Sequence, residues 1–227
     1  MSVMTTTETA KLLGVSSEAV RKMLKTGRLE QTGVAGRTIL IDAESAHRAH
    51  REGKRSGRLW TQRTAWAALS LLSGAEVSWL SASELWRLRK RLATLSAEEI
   101  HQLARNRATV HRYRGGESAK QKLFKVLADT GAGALEDPSL ANAFGLAAGL
   151  DALEGYAKTG FTQKNARKLG LREDLGGDIL IRELDFVQPL EGGQVPVAAI
   201  AVDLMDSIST RERSAGRAKL EELLNAI

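Results

Sequence analysis

The chain has 227 residues, of which 43% are hydrophobic, so it can form one or two domains with a buried core and is too hydrophobic for a disordered protein. It has no cysteine, which excludes disulfides, thiolate metal sites and a cysteine nucleophile. The net charge of +6 is unevenly divided: residues 1–125 carry 23 Lys and Arg against 11 Asp and Glu, whereas residues 126–227 carry 10 against 16. We therefore expect the basic half to face a polyanion such as nucleic acid, and the acidic half to serve another purpose.

No part of the sequence predicts a membrane segment. Residues 1–10 are polar and lack the apolar stretch of a signal peptide. The longest apolar stretches, such as residues 65–72, are far shorter than the roughly 20 residues that cross a bilayer. We expect a soluble cytoplasmic protein that has no membrane partner.

The first two predicted helices are joined by a glycine turn. Residues 6–13 form a threonine-capped helix, and Gly14 ends it because glycine adopts positive φ at little cost. Ser16 or Ser17 caps a second helix that runs to about Lys25. Such a pair of helices leaves the start of the second helix free to enter a DNA major groove.

A short hairpin and a third helix follow. Residues 29–31 and 38–41 are predicted strands, separated by the glycine-containing loop 32–37. Asp42 caps a third helix that ends near Glu52.

A basic, glycine-bounded segment, residues 53–58, has the composition of a linker. It predicts a winged helix-turn-helix DNA-binding domain at residues 1–57 and a second domain at residues 58–227. We expect the second domain to bind a partner.

The second domain is predicted to be mostly helical with a small C-terminal sheet, which gives an α+β fold. Ser96 begins a helix with a capping box, and Ser81 or Ser83 caps the basic helix before it. Five of the predicted helices are 61–72, 84–92, 97–104, 118–128 and 210–225. A further predicted helix starts at 137–139 and continues through the Ala- and Leu-rich run 141–153. The predicted strands are 107–114, 179–184 and 195–204, and a loop is predicted at 170–177.

The candidate DNA contacts lie on the second helix and beside the hairpin. Arginine and lysine reach guanine edges or phosphates, and serine bonds either phosphate or base. Charges in such a run often form only a solvated helix face, but their place in a helix-turn-helix favours DNA. The candidate reading face is Ser16, Ser17, Glu18, Arg21, Lys22 and Lys25, and the candidate backbone contacts are Arg28, Arg37 and Thr38.

Residues 5–16, with the sequence TTTETAKLLGVS, resemble the T-x-x-E-x-A-x-x-L-G-V-S pattern of excisionase-like and MerR-like winged helix-turn-helix domains. Residues 27–29 and 37–42 match the wing and the Asp-capped helix of those domains. The resemblance covers about a quarter of the chain and implies binding to double-stranded DNA.

Residues 197–207 and 210–216 resemble, more loosely, the C-terminal part of AbiE-type helix-turn-helix antitoxins, which accompany nucleotidyltransferase-like toxins in bacteria. The resemblance implies an antitoxin of a toxin-antitoxin system that binds its toxin directly and represses its own operon by binding operator DNA. A nucleotidyltransferase tends to be basic around its site, so an acidic surface could cover it. The candidate acidic segments surround Asp137, Asp151 and Glu173.

The sequence gives no positive evidence for catalysis, so we expect no enzyme, no cofactor and no metal. His47 and His50 share a helix face but have no acidic or thiol ligand placed with them, which favours a solvated helix. An acidic cluster could hold a divalent cation, although the glycines beside it favour an ordinary loop. The cluster is Glu173, Asp174 and Asp178.

Two other functions stay open. One is a free-standing transcription regulator whose C-terminal domain dimerises or senses a ligand, so a homodimer is an option. The other is an accessory recombination factor that bends DNA as excisionases do. The neighbouring reading frame separates them: a toxin-like nucleotidyltransferase favours the antitoxin, an integrase the recombination factor, and a metabolic operon the regulator.

Overall fold

The computed structural model describes residues 3–27, 29–36, 38–51, 58–149, 153–174, 176–191 and 194–227. The chain forms two compact units, Met1–Gly57 and Arg58–Ile227. Each unit has a hydrophobic core of its own. Within the described ranges, no helix is both long enough and apolar enough to cross a membrane.

The N-terminal unit combines helices with a small antiparallel sheet. Its described helices are α1 (Thr6–Leu13), α2 (Ser17–Lys25) and α3 (Ala43–Arg51). Its described strands are β1 (Val3–Thr5), β2 (Gln31–Ala35) and β3 (Thr38–Asp42), in the order β1-β3-β2. The fully buried side chains of Val20 and Ile41 tie α2 and β3 into one core with Ala10 and Leu13 of α1.

The bounds predicted for α1 are confirmed, and Ser16 rather than Ser17 is the N-cap of α2. The second predicted strand of the hairpin, 38–41, is confirmed as β3, whereas the first, 29–31, is misplaced. Strand β2 starts at Gln31, where the predicted strand ends, because a register shift between Gln31 and Gly33 admits the glycine into the strand. Strand β1 was not predicted. The predicted linker at 53–58 lies outside the described residues except for its last position.

The cap predicted at Asp42 is confirmed, because its Oδ2 accepts a hydrogen bond of 2.7 Å from the backbone N–H of Ser45. The Ser45 hydroxyl in turn donates to the Asp42 carbonyl at 2.9 Å. The junction between the hairpin and α3 is therefore fixed by local hydrogen bonds.

The described helices of the C-terminal unit are α4 (Gln62–Leu72), α5 (Ala82–Leu92), α6 (Ala97–Leu103), α7 (Glu117–Phe124), α8 (Pro138–Ala143), α9 (Phe161–Asn165), α10 (Val197–Met205) and α11 (Thr210–Asn225). Five of them begin at side-chain N-caps, namely Thr61, Ser81, Ser96, Asp137 and Ser209. The capping box predicted at Ser96 is confirmed, and Ser81 rather than Ser83 caps α5.

The C-terminal unit also contains a sheet of five described strands. They are β4 (Thr109–Arg114), β5 (Ala128–Asp129), β6 (Leu153–Lys158), β7 (Arg172–Glu173) and β8 (Ile179–Leu184), in the order β5-β6-β8-β4-β7. Strands β6 and β8 are parallel, and the other neighbours are antiparallel.

The two faces of this sheet pack against different cores. Ile179 and Ile181 face a small core with Leu123 of α7. Tyr156 and Leu184, on the opposite face, join the larger core formed with α4 and α10. The predicted α+β class is confirmed.

Three predicted elements of the C-terminal unit are wrong. The strand predicted at 195–204 is helix α10, and the helix predicted at 118–128 ends at Phe124. In the run 141–153, the helix ends at Ala143 and the described residues 144–149 are not helical. Strand β6 was not predicted. The runs 195–204 and 141–153 are largely apolar, and periodicity alone cannot assign such runs to helix or strand.

Candidate functional site

Helix α1 is fixed at both ends by local hydrogen bonds. Thr5 forms a capping box with Glu8: the Glu8 carboxylate accepts from the Thr5 backbone N–H at 2.7 Å and from its hydroxyl at 2.8 Å. These bonds, the backbone one first, lower the pKa of Glu8. At the other end Gly14 adopts φ 60°, and the Val15 N–H donates to the Ala10 carbonyl at 3.0 Å.

Three residues, 14–16, separate the end of α1 from the start of α2. The Ser16 hydroxyl accepts from the Ala19 N–H at 3.2 Å, which leaves the hydroxyl proton free to donate. Capping satisfies one of the amide groups at the helix start, and the others in the first turn are available to an anion.

One side of α2 is buried and holds the helix against α1. Val20 has no exposed surface, and Met23 and Leu24 are partly buried in the same core. With this side fixed, the opposite side of α2 is presented to solvent.

The opposite side carries the predicted reading face. Glu18, Arg21, Lys22 and Lys25 are all exposed. Their spacing of i, i+3, i+4 and i+7 places them on one stripe of the helix. Three cations against one carboxylate make the stripe basic.

The structure places each of the other predicted contacts as follows. Ser16 is exposed at the N-cap, Ser17 is partly exposed in the first turn, and Thr38 is exposed at the start of β3. Arg28 and Arg37 lie outside the described residues. The arrangement thus groups Ser16, Ser17 and the α2 stripe on one helix.

The hairpin that follows α2 has the form of a short wing. Ala35 and Thr38 are paired, and Gly36 between them has φ 63°, which glycine accommodates without strain. Val34, the second-last residue of β2, is 59% exposed although it is apolar. An exposed apolar side chain on this hairpin is available to pack against a partner.

Comparison with known proteins supports this description. Residues 3–45 match the family model described as a helix-turn-helix domain. The N-terminal unit is a DNA-binding helix-turn-helix domain. The match spans both helices of the motif and the hairpin, as the excisionase-like resemblance predicts. No curated protein and no solved structure matched the chain, so the likeness to AbiE-type antitoxins stays a prediction.

The C-terminal unit has an acidic groove, which we define by Asp129, Glu136 and Asp137 around a cavity of about 550 Å³. Phe124 and Leu140 are among its apolar lining residues, and its described lining contains no lysine or arginine. Burial, and then the charge of Glu136, raises the pKa of Asp129 to about 6. Asp137 caps α8, but Asp129 and Glu136 have no cationic partner among the described residues.

The predicted cluster at Glu173, Asp174 and Asp178 is different, because two of its three carboxylates, those of Asp174 and Asp178, are paired. Asp174 accepts from Arg114 Nε at 2.7 Å, and Asp178 accepts from Lys120 Nζ at 2.6 Å. A hydrogen bond from the Gly176 N–H, and then Arg114, lowers the pKa of Asp174. Among the described residues, no group of three His, Asp or Glu is placed to hold a metal ion.

Sequence reasoning missed a set of buried charges in the C-terminal unit. Arg107, Glu154, Arg182 and Asp203 are all buried. The one signal in the sequence is Asp203, which interrupts the apolar run of α10.

Proposed function

We propose that the chain is a bacterial regulator that binds operator DNA through α2. The observation that carries the proposal is the exposed basic stripe on the second helix of a helix-turn-helix domain. Arg21 and Lys22 occupy its centre, where side chains of a recognition helix reach base edges or phosphates. Such a regulator acts in the bacterial cytoplasm, and the proposal assigns it no catalytic reaction.

The test replaces Arg21 and Lys22 with alanine. We expect operator affinity to fall by about 1–3 kcal/mol for each residue that reads a base. Both side chains are exposed, so the circular dichroism spectrum should not change. Affinity is measured by mobility shift over about 50 to 200 mM salt, and the slope of log K against log salt should become shallower by about 0.9 for each lost phosphate contact.

The matched control is Arg167→Ala with Lys168→Ala, an exposed Arg-Lys pair in the C-terminal unit. It removes the same charge from another place. Equal loss of affinity in the two variants would show that net charge, and not the α2 stripe, attaches the protein to DNA.

We propose further that the chain is an antitoxin, which represses its operon and neutralises a nucleotidyltransferase-like toxin by direct binding. The charge division of the sequence and the acidic groove support this proposal. Unpaired carboxylates on an apolar floor favour a partner segment that carries lysine or arginine. The resemblance of residues 197–216 to AbiE-type antitoxins supports the kind of partner.

Co-expression with the product of the neighbouring gene tests the antitoxin proposal. The wild-type chain should co-purify with that product and restore growth, whereas Glu136→Lys should weaken both because it reverses a charge in the groove. Glu222→Lys, exposed on α11, is the matched control and should behave like the wild type. If the wild-type chain neither co-purifies nor restores growth, the antitoxin proposal falls and the free-standing regulator takes its place.

A further inference from the structure

A second cleft of the C-terminal unit, of about 320 Å³, lies over one face of the β4–β8 pair. Val110 is opposite Arg182 in the antiparallel register, and Arg112 is opposite Leu180. Because side chains alternate along a strand, these four share one face of the sheet. The cleft lining is Arg105, Arg107, Ala108, Val110, Arg112, Leu180, Arg182 and Asp206. We call it the arginine cleft.

Two guanidinium groups form the floor of the arginine cleft and are held rigidly. Arg107 donates from Nε to Asp203 at 2.8 Å, and Arg182 donates from Nε to Glu154 at 2.7 Å. Arg182 also donates from Nη1 to Asp206 at 3.1 Å. Both arginine side chains are almost completely buried.

The carboxylates behind the floor are themselves anchored. Asp203 accepts from the Tyr156 hydroxyl at 3.0 Å and from the Thr130 hydroxyl. The side chain of Asp206 is 34% exposed and bridges Arg107 and Arg182, while its other oxygen is 2.7 Å from His101 Nε2. Hydrogen bonds and ion pairs therefore hold the floor of the cleft in a fixed arrangement.

The rim of the cleft carries charge that the protein does not neutralise. Arg105 is exposed and Arg112 partly exposed. Arg112 donates from Nη1 to the Gly177 carbonyl at 2.9 Å, and in the described part of the chain neither rim arginine is paired with a carboxylate. Arg105 and Arg112 both line this cavity, and two unneutralised guanidinium groups beside one cavity attract an anion such as phosphate.

The apolar part of the lining sets the size and kind of ligand. Val110 is 50% exposed at the cleft, and Leu180 lies beside it on the neighbouring strand. A cavity of about 320 Å³ exceeds what a free phosphate ion fills and is within the range of small-molecule sites. An apolar wall and a basic rim together suit a molecule with a flat or apolar body and a phosphate group.

We propose that the arginine cleft binds a phosphate group, with Arg105 and Arg112 as its direct ligands. The group comes from a small phosphorylated molecule of nucleoside monophosphate size or from the backbone of bound DNA. This site is separate from the α2 stripe and from the acidic groove. Its small-molecule source does not depend on the proposed functions, whereas its DNA source rests on the proposed DNA binding.

The experiment titrates adenosine monophosphate and inorganic phosphate into the full chain in low-salt buffer by isothermal titration calorimetry. Arg105→Gln with Arg112→Gln should weaken binding at least about tenfold, because each lost guanidinium removes charge-assisted hydrogen bonds. Val110→Asp, at an exposed position, should do the same by placing a carboxylate in the cleft. Arg87→Gln with Arg89→Gln, exposed on α5, removes equal charge elsewhere and should leave binding unchanged.

A parallel mobility shift with duplex DNA distinguishes the two sources. Adenosine monophosphate binding that the cleft variants abolish, with DNA affinity unchanged, assigns the site to a small phosphorylated molecule. No binding of the nucleotide, but weaker DNA binding in both cleft variants and not in the α5 control, assigns it to backbone phosphate. If neither titrant binds and the cleft variants leave DNA affinity unchanged, or if nucleotide affinity is the same in all variants, the proposal is overturned.

Discussion

The pKa of Glu154 differs from that of an ordinary glutamate. The side chain is buried in a network in which three carboxyl groups face only two buried guanidinium groups. Glu154, Asp203 and Asp206 face Arg107 and Arg182. Burial raises the pKa of Glu154 to about 7, although the charge of Arg182 opposes the rise. For Asp206, burial would raise the pKa, but the bond from His101 and the charges of the two arginines hold it well below its ordinary value.

Glu154→Gln should therefore change how stability depends on pH. An unfolded glutamate has a pKa of about 4.3, so between that pH and about 7 the folded chain keeps a proton that the unfolded chain has released. The stabilisation is complete below about pH 4.3 and is lost as the pH rises through 7. Relative to the variant, the wild-type chain should lose on the order of 2–3 kcal/mol between about pH 5 and 8.

Urea unfolding at several pH values measures this difference. Asp129, whose pKa is also raised, is present in both proteins and cancels in the comparison. Glu173→Gln, at an exposed site on β7, should follow the wild-type curve. Parallel curves for Glu154→Gln and the wild type would mean that Glu154 ionises normally.

At the scale of single residues, this buried network of charges could not be predicted from the sequence. Arg107 and Asp203 are 96 positions apart, and Glu154 and Arg182 are 28 apart. Nothing local marks an arginine as buried, since the same residue type is exposed elsewhere on the chain. The stripe on α2 could be predicted because its residues are close together in sequence and in space.

Helix ends could be predicted at the scale of elements because capping is local. Ser16, Asp42 and Ser96 each accept a backbone N–H that is three positions away. Helix α10 was misread because residues 198–204 are all buried, so no polar face gives the run a helical period.

Gly216 explains part of the sequence pattern that suggested an antitoxin. It lies in α11 where that helix packs on α10, and a Cβ there would be 2.4 Å from the Ala201 carbonyl oxygen and 2.9 Å from the Leu204 Cβ. The glycine lets the two helix backbones approach closely. The motif in residues 210–216 therefore has a packing role.

Gly216→Ala should destabilise the protein, although alanine is the better helix former. Overpacking against α10 costs about 1–3 kcal/mol, which outweighs the ~1 kcal/mol that alanine gains in a helix. Thermal or urea unfolding measures the change. Ser214→Ala, exposed on the same helix, should change stability by less than about 0.5 kcal/mol. A Gly216→Ala protein as stable as the wild type would contradict the close approach of α10 and α11.

At the scale of the whole molecule, the chain has one basic surface and one acidic surface. The basic stripe of α2 is in the N-terminal unit, and the acidic groove is in the C-terminal unit. The sequence predicted that division from its composition, but it could not locate the groove. Of the three predicted acidic segments, the one at Asp137 lines the acidic groove. Near Glu173, the carboxylates of Asp174 and Asp178 are paired with Arg114 and Lys120. Asp151 lies outside the described residues.

The last prediction divides the two functions between fragments. Residues 1–57 should bind operator DNA without neutralising the toxin, and residues 58–227 should neutralise it without binding DNA. Each fragment contains a complete core, although one of about 57 residues is only marginally stable on its own. Mobility shifts score DNA binding, and growth rescue during co-expression with the neighbouring gene scores neutralisation.

The growth outcomes of this experiment have different meanings. Rescue by residues 1–57 alone would place the toxin on the helix-turn-helix unit and contradict the acidic groove. Rescue by the full chain but by neither fragment would mean that both units contribute to one interface. If residues 58–227 rescue growth and Glu136→Lys in that fragment abolishes the rescue, neutralisation depends on the groove alone, because the fragment lacks every residue of the α2 stripe.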